Sequence, residues 1–170
     1  MNVAAEPLSR AKIRTITWKI REMAGFDHML YFPIVHFIEW VLANPENEMG
    51  LEFEIVEPNE LENTYGTTNT ARNKMIIRSD VYDRAVNGNA RDRFTLCHEL
   101  GHYLLHQPEA ISLARGQVPA YRDPEWQANT FAAELMAPAR LIKNFSVDQI
   151  MSECGMSRQA ASIQYNEIHR

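Results

Sequence analysis

The residues of this chain best suited to chemistry are His98, Glu99 and His102, which form an H-E-x-x-H run. Residues four apart lie on one face of a helix with Cβ atoms about 5–6 Å apart, so both imidazoles can reach one metal ion. The glutamate lies beside that metal, where it can accept a proton from a coordinated water whose pKa has fallen to about 7. The run therefore predicts half of a catalytic zinc site, with Glu99 as the general base of a metal-dependent peptidase.

The segment around this run has the pattern of a buried helix. From residue 93 to residue 106 apolar residues recur at helical spacing, and no proline interrupts them. Buried His and Glu side chains are costly unless they are paired or bound to a metal. A metal site therefore explains the cluster better than the alternative, in which the histidines lie on a solvated helix edge and are close together by coincidence.

Two histidines leave a catalytic zinc short of a ligand, because such sites commonly combine three protein ligands with a water. A metzincin would carry glycine at position 105 and histidine at position 108, but this chain has Leu105 and Pro108, so that class is excluded. His106 would lie about 12 Å along the helix axis from His98, too far to share the metal. It is better explained as a helix C-terminal cap or as a hydrogen-bond donor behind a ligand.

Glu125 is the better candidate for the third ligand. It opens a segment, 125–136, whose apolar residues have the spacing of an amphipathic helix that Pro138 ends. From the first turn of that helix its carboxylate could point at a metal held by the first helix, although the helix dipole alone also favours a carboxylate there. Glu134 lies off the apolar stripe, and we predict that it is solvated.

Two sequence blocks occur in a characteristic order: residues 93–102 read RFTLCHELGH, and residues 125–138 read E-x-x-AN-x-FAAELMAP. Together they resemble the ImmA/IrrE family of bacterial and phage metallopeptidases. The resemblance implies one zinc ion per chain, Glu99 as general base, and zinc ligands at His98, His102 and Glu125. It also implies a protein substrate, namely a helix-turn-helix repressor or an antitoxin-like partner.

The fold class that we expect is α+β, with a zincin-like core in which a small, mainly antiparallel sheet packs on helices. Residues 1–145 would form this domain, and residues 146–170 a small helix-turn-helix-like extension packed on it, with helices at 147–154 and 157–168. A helix is also predicted around Ile13, Ile16, Ile20 and Met23, which share one helical face, and a further helix is predicted over 33–42. Strands are predicted at 51–56 and 74–78, with 66–69 as a turn between them and 107–124 as a connecting loop that borders the cleft.

Substrate binding is harder to place. If the strand at 74–78 is an exposed edge facing the cleft, it could bind an extended peptide by strand addition, which makes Ile76 a candidate. Peptide hydrolysis also requires a donor for the developing oxyanion, and the candidates are Tyr82, Tyr103 and Tyr165.

Composition favours a compact domain that does not bind nucleic acid. The chain has 170 residues, 45% of them hydrophobic, and a net charge of −5, with no Lys or Arg from residue 22 to residue 71. Cys97 and Cys154 are expected to be reduced thiols, and we expect neither a signal peptide nor a membrane span, so the predicted location is the cytoplasm. The extension at the C-terminus carries too little basic charge for phosphate contacts, so packing is its expected role.

An alternative from another class is a non-proteolytic, zinc-containing regulatory module that binds a transcription factor or DNA. A purely structural zinc site would normally be closed by four protein ligands, often including Cys. Three ligands with a neighbouring Glu99 instead leave a position open for water, which favours the peptidase.

Overall fold

The computed structural model of the chain describes residues 1–48 and 50–170. Its helices are α1 (Arg10–Ala24), α2 (Ile34–His36), α3 (Ser79–Val86), α4 (Ala90–Leu105), α5 (Pro124–Met136), α6 (Ala139–Ile142), α7 (Val147–Cys154) and α8 (Arg158–Ile168). The strands are β1 (Asn2–Ala5), β2 (Glu52–Val56), β3 (Gly66–Asn69), β4 (Lys74–Arg78) and β5 (Ile111–Ala114). Helix α2 continues directly into a π-helical segment, Phe37–Leu42. The predicted α+β fold is confirmed, with small antiparallel and mixed sheets.

The three-stranded sheet differs from the prediction in one respect that matters for the site. Its strand order is β2-β4-β3, with β4 parallel to β2 and antiparallel to β3. Strand β4 is therefore central: Ile76 lies between Glu54 and Thr67, so the prediction of an exposed edge there is wrong. The two edge strands are β2 and β3, and β3 lies in the segment that we predicted to be a turn.

The turn prediction at 66–69 is wrong. It relied on the glycine and asparagine of this segment and gave too little importance to its two threonines, which are β-branched and favour strands. The chain actually reverses after β3, where Asn73 adopts a left-handed conformation with φ 53°. Strand β3 then lies against α4, and Gly66 permits this close approach. A Cβ on Gly66 would lie 2.6 Å from Ile77 Cδ1 and 3.3 Å from Glu99 Cγ.

Helices α4 and α5 pack face to face in the core. At their crossing, a Cβ on Gly101 would lie only 3.2 Å from the Cα of Ala128 and 3.1 Å from Phe131 Cδ1. Helix α4 begins at the N-cap Asn89 and ends at His106, which is its C-cap as predicted. Helix α5 begins at the N-cap Asp123, whose side chain accepts a hydrogen bond from the Glu125 amide.

The other side of α5 is covered by α1, and this corrects the prediction for Glu134. That side chain is fully buried, not solvated, and forms ion pairs with Arg10 at 3.1 Å and Arg14 at 3.0 Å. The apolar stripe gave the wrong answer because α5 is enclosed on more than one side, so a position off the stripe still faces protein. The predicted apolar face of α1 is wrong at its end, since Met23 is 86% exposed.

The C-terminal helices α7 and α8 lie close to the predicted bounds. Ser157 caps α8 as expected, accepting a hydrogen bond from the Ala160 amide. Ile150, Cys154 and Ala161 belong to the same apolar core as α4 and α5. Both cysteines are buried and free, which agrees with reduced thiols. The division at residue 145 stays a prediction.

A second, two-stranded sheet joins the N-terminus to the segment between the ligand-bearing helices. Strand β1 pairs antiparallel with β5, with Val3 opposite Leu113. The segment 107–124, predicted to be a loop, therefore contains a strand as well as turns. Among the described residues, no helix combines the length and apolarity needed to cross a membrane.

Candidate metal centre

Three side chains from α4 and α5 converge on one point beside the two helices. His98 and His102 lie one turn apart on α4, and Glu125 reaches them from the first turn of α5. Their potential ligand atoms all lie within 4.8 Å of one another. The two Nε2 atoms are 3.0 Å apart, and the Glu125 oxygens lie 3.2 Å from Nε2 of His98 and 3.1 Å from Nε2 of His102.

This arrangement fits a zinc ion in both spacing and chemistry. Ligand atoms about 2.0–2.1 Å from a tetrahedral ion lie roughly 3.3 Å from one another, close to the three observed separations. Two imidazole nitrogens and a carboxylate oxygen are also a donor set that zinc accepts in catalytic sites.

His102 and His106 are held as neutral rings. Burial, reinforced by the neighbouring His98 and His106, lowers the pKa of His102 to about 3. Burial also lowers the pKa of His106. A neutral imidazole keeps a lone pair on one nitrogen, which is the form that binds a metal.

Each ligand histidine is oriented by a hydrogen bond on its far side. Nδ1 of His98 lies 2.8 Å from Oδ1 of Asn129, on α5. Nδ1 of His102 lies 2.9 Å from Nδ1 of His106, whose Nε2 lies 2.9 Å from Oε1 of Gln127. Such partners fix the ring orientation and leave Nε2 directed towards the other ligands.

Glu99 lies beside this cluster and is almost buried, at 7% exposure. Burial raises the pKa of its carboxyl group, and the hydrogen bond from Thr68 partly opposes that shift. The Thr68 hydroxyl donates to Glu99 Oε2 at 2.6 Å. The contact depends on β3, since Thr68 follows the glycine that lets this strand approach α4.

The cluster opens into a cleft of about 430 Å³. One wall is the edge strand β3 with its flanking threonines, and Val3 of β1 and Ile111 of β5 contribute to the lining. His98, Glu99, His102 and Glu125 all line the same space. A bound peptide would therefore meet an edge strand and the metal cluster together.

The structure separates the other sequence candidates from this cleft. Ile76 is on the central strand, and none of the three candidate tyrosines is among the lining residues. The Tyr82 hydroxyl donates to Glu39, the Tyr103 hydroxyl donates to Asn73 at 2.5 Å, and Tyr165 stacks on His169. The hydroxyl donors that do line the cleft belong to threonines, at positions 64, 67, 68 and 70.

Sequence reasoning missed the supporting residues Thr68, Asn129 and Gln127. Gln127 carried a usable signal, because it is a polar side chain between the apolar Trp126 and Ala128, and buried polar groups need a partner. Asn129 carried no such signal, since its side chain is exposed. Thr68 carried no local signal, since its contact with Glu99 spans 31 residues.

Comparison with known proteins agrees with this geometry. Residues 57–164 match the model of a peptidase family described as the IrrE N-terminal-like domain, and the match takes in α4, α5 and the edge strand β3. None of the curated proteins matches the chain at a significant level. The family match supports a peptidase that requires a metal, and it confirms the resemblance carried by the two sequence blocks. The chain therefore belongs to peptidase family M78, the ImmA/IrrE family.

Proposed function

We propose that this protein is a zinc-dependent endopeptidase that binds one zinc ion per chain through His98, His102 and Glu125. The observation that carries the proposal is the convergence of these three ligand atoms within 4.8 Å. Glu99 lines the same cleft but is not one of the three proposed ligands. A site with three protein ligands and a separate carboxylate keeps a position open for water, as catalytic zinc sites do.

In this mechanism the zinc ion would polarise the scissile carbonyl as a Lewis acid and lower the pKa of the attacking water. Glu99 would accept a proton from that water and return it to the leaving amine. Burial supports this role, because a carboxyl with a raised pKa is a better base near neutral pH. Since the Thr68 hydroxyl occupies Oε2, we assign the proton transfer to Oε1.

The substrate would bind as an extended segment along β3. This strand has a free edge in the sheet order β2-β4-β3, so its backbone groups can pair with a peptide. A peptide paired with β3 would lie next to Glu99 and the proposed zinc ligands, because these residues line the same cleft. Strand addition depends mainly on backbone hydrogen bonds, so side-chain pockets in the cleft must supply the remaining selectivity.

For the partner we propose a helix-turn-helix repressor or an antitoxin-like protein, as the family resemblance implies. The net charge of −5 and the absence of Lys and Arg from residue 22 to residue 71 support this partner. An acidic surface accelerates encounter with a basic one, such as the DNA-reading face of a repressor. The same charge disfavours direct binding of nucleic acid, and the two free, buried thiols suit action in the cytoplasm.

The decisive experiment compares the wild type with Glu99→Gln. Zinc content is measured by elemental analysis, and cleavage of helix-turn-helix repressors and of unfolded casein is followed by mass spectrometry. We expect one zinc per chain in both proteins and a loss of cleavage of about 10²–10⁴-fold in the variant, the usual contribution of a general base. Comparable cleavage by the variant would refute the mechanism.

The same experiment tests the alternative of a non-proteolytic regulatory module. A wild type that carries zinc and binds a repressor without cleaving it would establish that alternative in place of the peptidase. A matched control is Glu109→Gln, which makes the same change at an exposed position just after α4. This control should match the wild type in both zinc content and cleavage.

A further inference from the structure

Behind His102, a row of buried side chains runs from the metal cluster to the backbone of the N-terminal segment. Nδ1 of His102 faces Nδ1 of His106, and Nε2 of His106 faces Oε1 of Gln127. His106 is 5% exposed and Gln127 is fully buried. Each of these hydrogen bonds must have one donor and one acceptor.

The direction of the row is set at its far end. Nε2 of Gln127 donates to the carbonyl oxygens of Glu6 and Tyr121, both at 2.8 Å. The reversed amide would place Oε1 against two carbonyl oxygens, which can only accept. The orientation of Gln127 is therefore fixed, and its Oε1 must accept a hydrogen bond from Nε2–H of His106.

The protons of the two histidines follow from this orientation. His106 is buried, and its ring nitrogens face His102 and Gln127 rather than a carboxylate, so a charged ring would be costly there. A neutral His106 that donates from Nε2 has its lone pair on Nδ1. His102 must then donate from its own Nδ1–H, so its lone pair lies on Nε2. That atom is the one that lies 3.0 Å from His98 Nε2 and 3.1 Å from Glu125 Oε1.

We propose that Gln127 and His106 form a relay that fixes the metal-binding tautomer of His102, with the carbonyls of Glu6 and Tyr121 as its anchors. Gln127 and His106 are positioning residues, and their role rests on the proposed zinc site. The relay makes the N-terminal segment before α1 and the turn before α5 determinants of metal affinity. His98 differs, because the hydrogen bond that orients it goes directly to Asn129.

The test has a direct spectroscopic readout. In metal-free protein with ¹⁵N-labelled histidine, NMR distinguishes the protonated from the unprotonated ring nitrogen. We expect wild-type His102 to carry its proton on Nδ1, and the Gln127→Leu variant to show a mixture of both tautomers. A wild-type His102 with its proton on Nε2 would overturn the proposal, and that result requires no variant.

Zinc affinity, measured by competition with a chromogenic chelator, provides the second readout. We expect Gln127→Leu to raise the Kd for zinc about 10–100-fold, the usual effect of removing a partner behind a ligand. The matched control is Gln164→Leu. Gln164, on α8, is also fully buried and donates to a backbone carbonyl, that of Ala137 at 2.9 Å, but this contact lies at the other end of α5. Equal weakening by both variants would overturn the relay.

A double variant separates a relay from independent packing effects. His106→Phe interrupts the same row, so the combination with Gln127→Leu should bind zinc no more weakly than either single variant. Additive losses would refute the relay. If Gln127→Leu does not fold, the zinc affinity of His106→Phe and the histidine spectrum of the wild type still test the relay. A wild type that binds no zinc contradicts the proposed function instead, while its histidine spectrum still reports the tautomer.

Discussion

Helix α5 carries two glutamates in clusters of similar size, and the two clusters differ in almost every other respect. Glu134 is fully buried between Arg10 and Arg14. Glu125 lies at the other end of the helix, with a side chain that is 68% exposed and contacts His98 and His102. One carboxylate meets two fixed positive charges, whereas the other meets two imidazole rings.

The difference shows that the partners of a carboxylate are more informative than its burial. The cluster around Glu134 is complete, because the guanidinium donors match the carboxylate oxygens. The cluster around Glu125 brings a carboxylate and two imidazole nitrogens to the same point, which is a donor set that a metal cation would complete. Burial alone would have selected Glu134 as the unusual residue, but the exposed Glu125 is the one whose surroundings require a ligand.

The largest effect is expected from Glu125→Gln, which removes the charge and keeps the shape. We expect the Kd for zinc to rise by more than about 100-fold, beyond the effect of changes behind a ligand. The free energy of unfolding of the metal-free protein should change by less than about 0.5 kcal/mol, as for an exposed position. Chelator competition and urea denaturation measure the two quantities, and unchanged zinc affinity would remove Glu125 from the site.

The same substitution at the other end, Glu134→Gln, should have the opposite profile. Losing the charge-assisted hydrogen bonds to Arg10 and Arg14 should lower the free energy of unfolding by about 2 kcal/mol, because hydrogen bonds to charged groups are the stronger class. Zinc affinity should stay within about threefold of the wild type, since the ligand cluster is untouched. Urea denaturation and chelator competition again provide the measurements. A loss of zinc affinity equal to that of Glu125→Gln would end the distinction between the two clusters.

The smallest effect should be the coupling between the two substitutions. Nine residues of helix separate the clusters by about 13 Å, beyond the distance at which substitutions usually interact. In the double variant Glu125→Gln/Glu134→Gln, the changes in unfolding free energy of the metal-free protein should add to within about 0.5 kcal/mol. A larger coupling would show that the two ends of α5 do not act independently.

The local parts of this molecule could be predicted from sequence, and the long-range parts could not. Helices α4 and α5 and the pairing of His98 with His102 follow from helical periodicity and from residue types four apart. Helical spacing left Glu125 open between a ligand and a carboxylate favoured by the helix dipole, and the family resemblance implied that it is a ligand. Strand β3 was missed because short polar strands look like turns until their partner is known. Strand β1 and the burial of Glu134 were missed because their contacts span more than 100 residues, as from Arg14 to Glu134, and no local pattern records such a distance.

The hydrogen bond between Gln127 and the Glu6 carbonyl has a consequence for when the site can assemble during protein synthesis. Its two residues are separated by 121 positions. At about 5–20 residues per second, the ribosome adds Gln127 roughly 6–24 s after Glu6. During that interval the nascent chain already holds both histidines of α4 for part of the time, but it lacks the third ligand and the glutamine. The proposed zinc site and its relay can therefore be completed only after α5 has been made and has met the N-terminal segment.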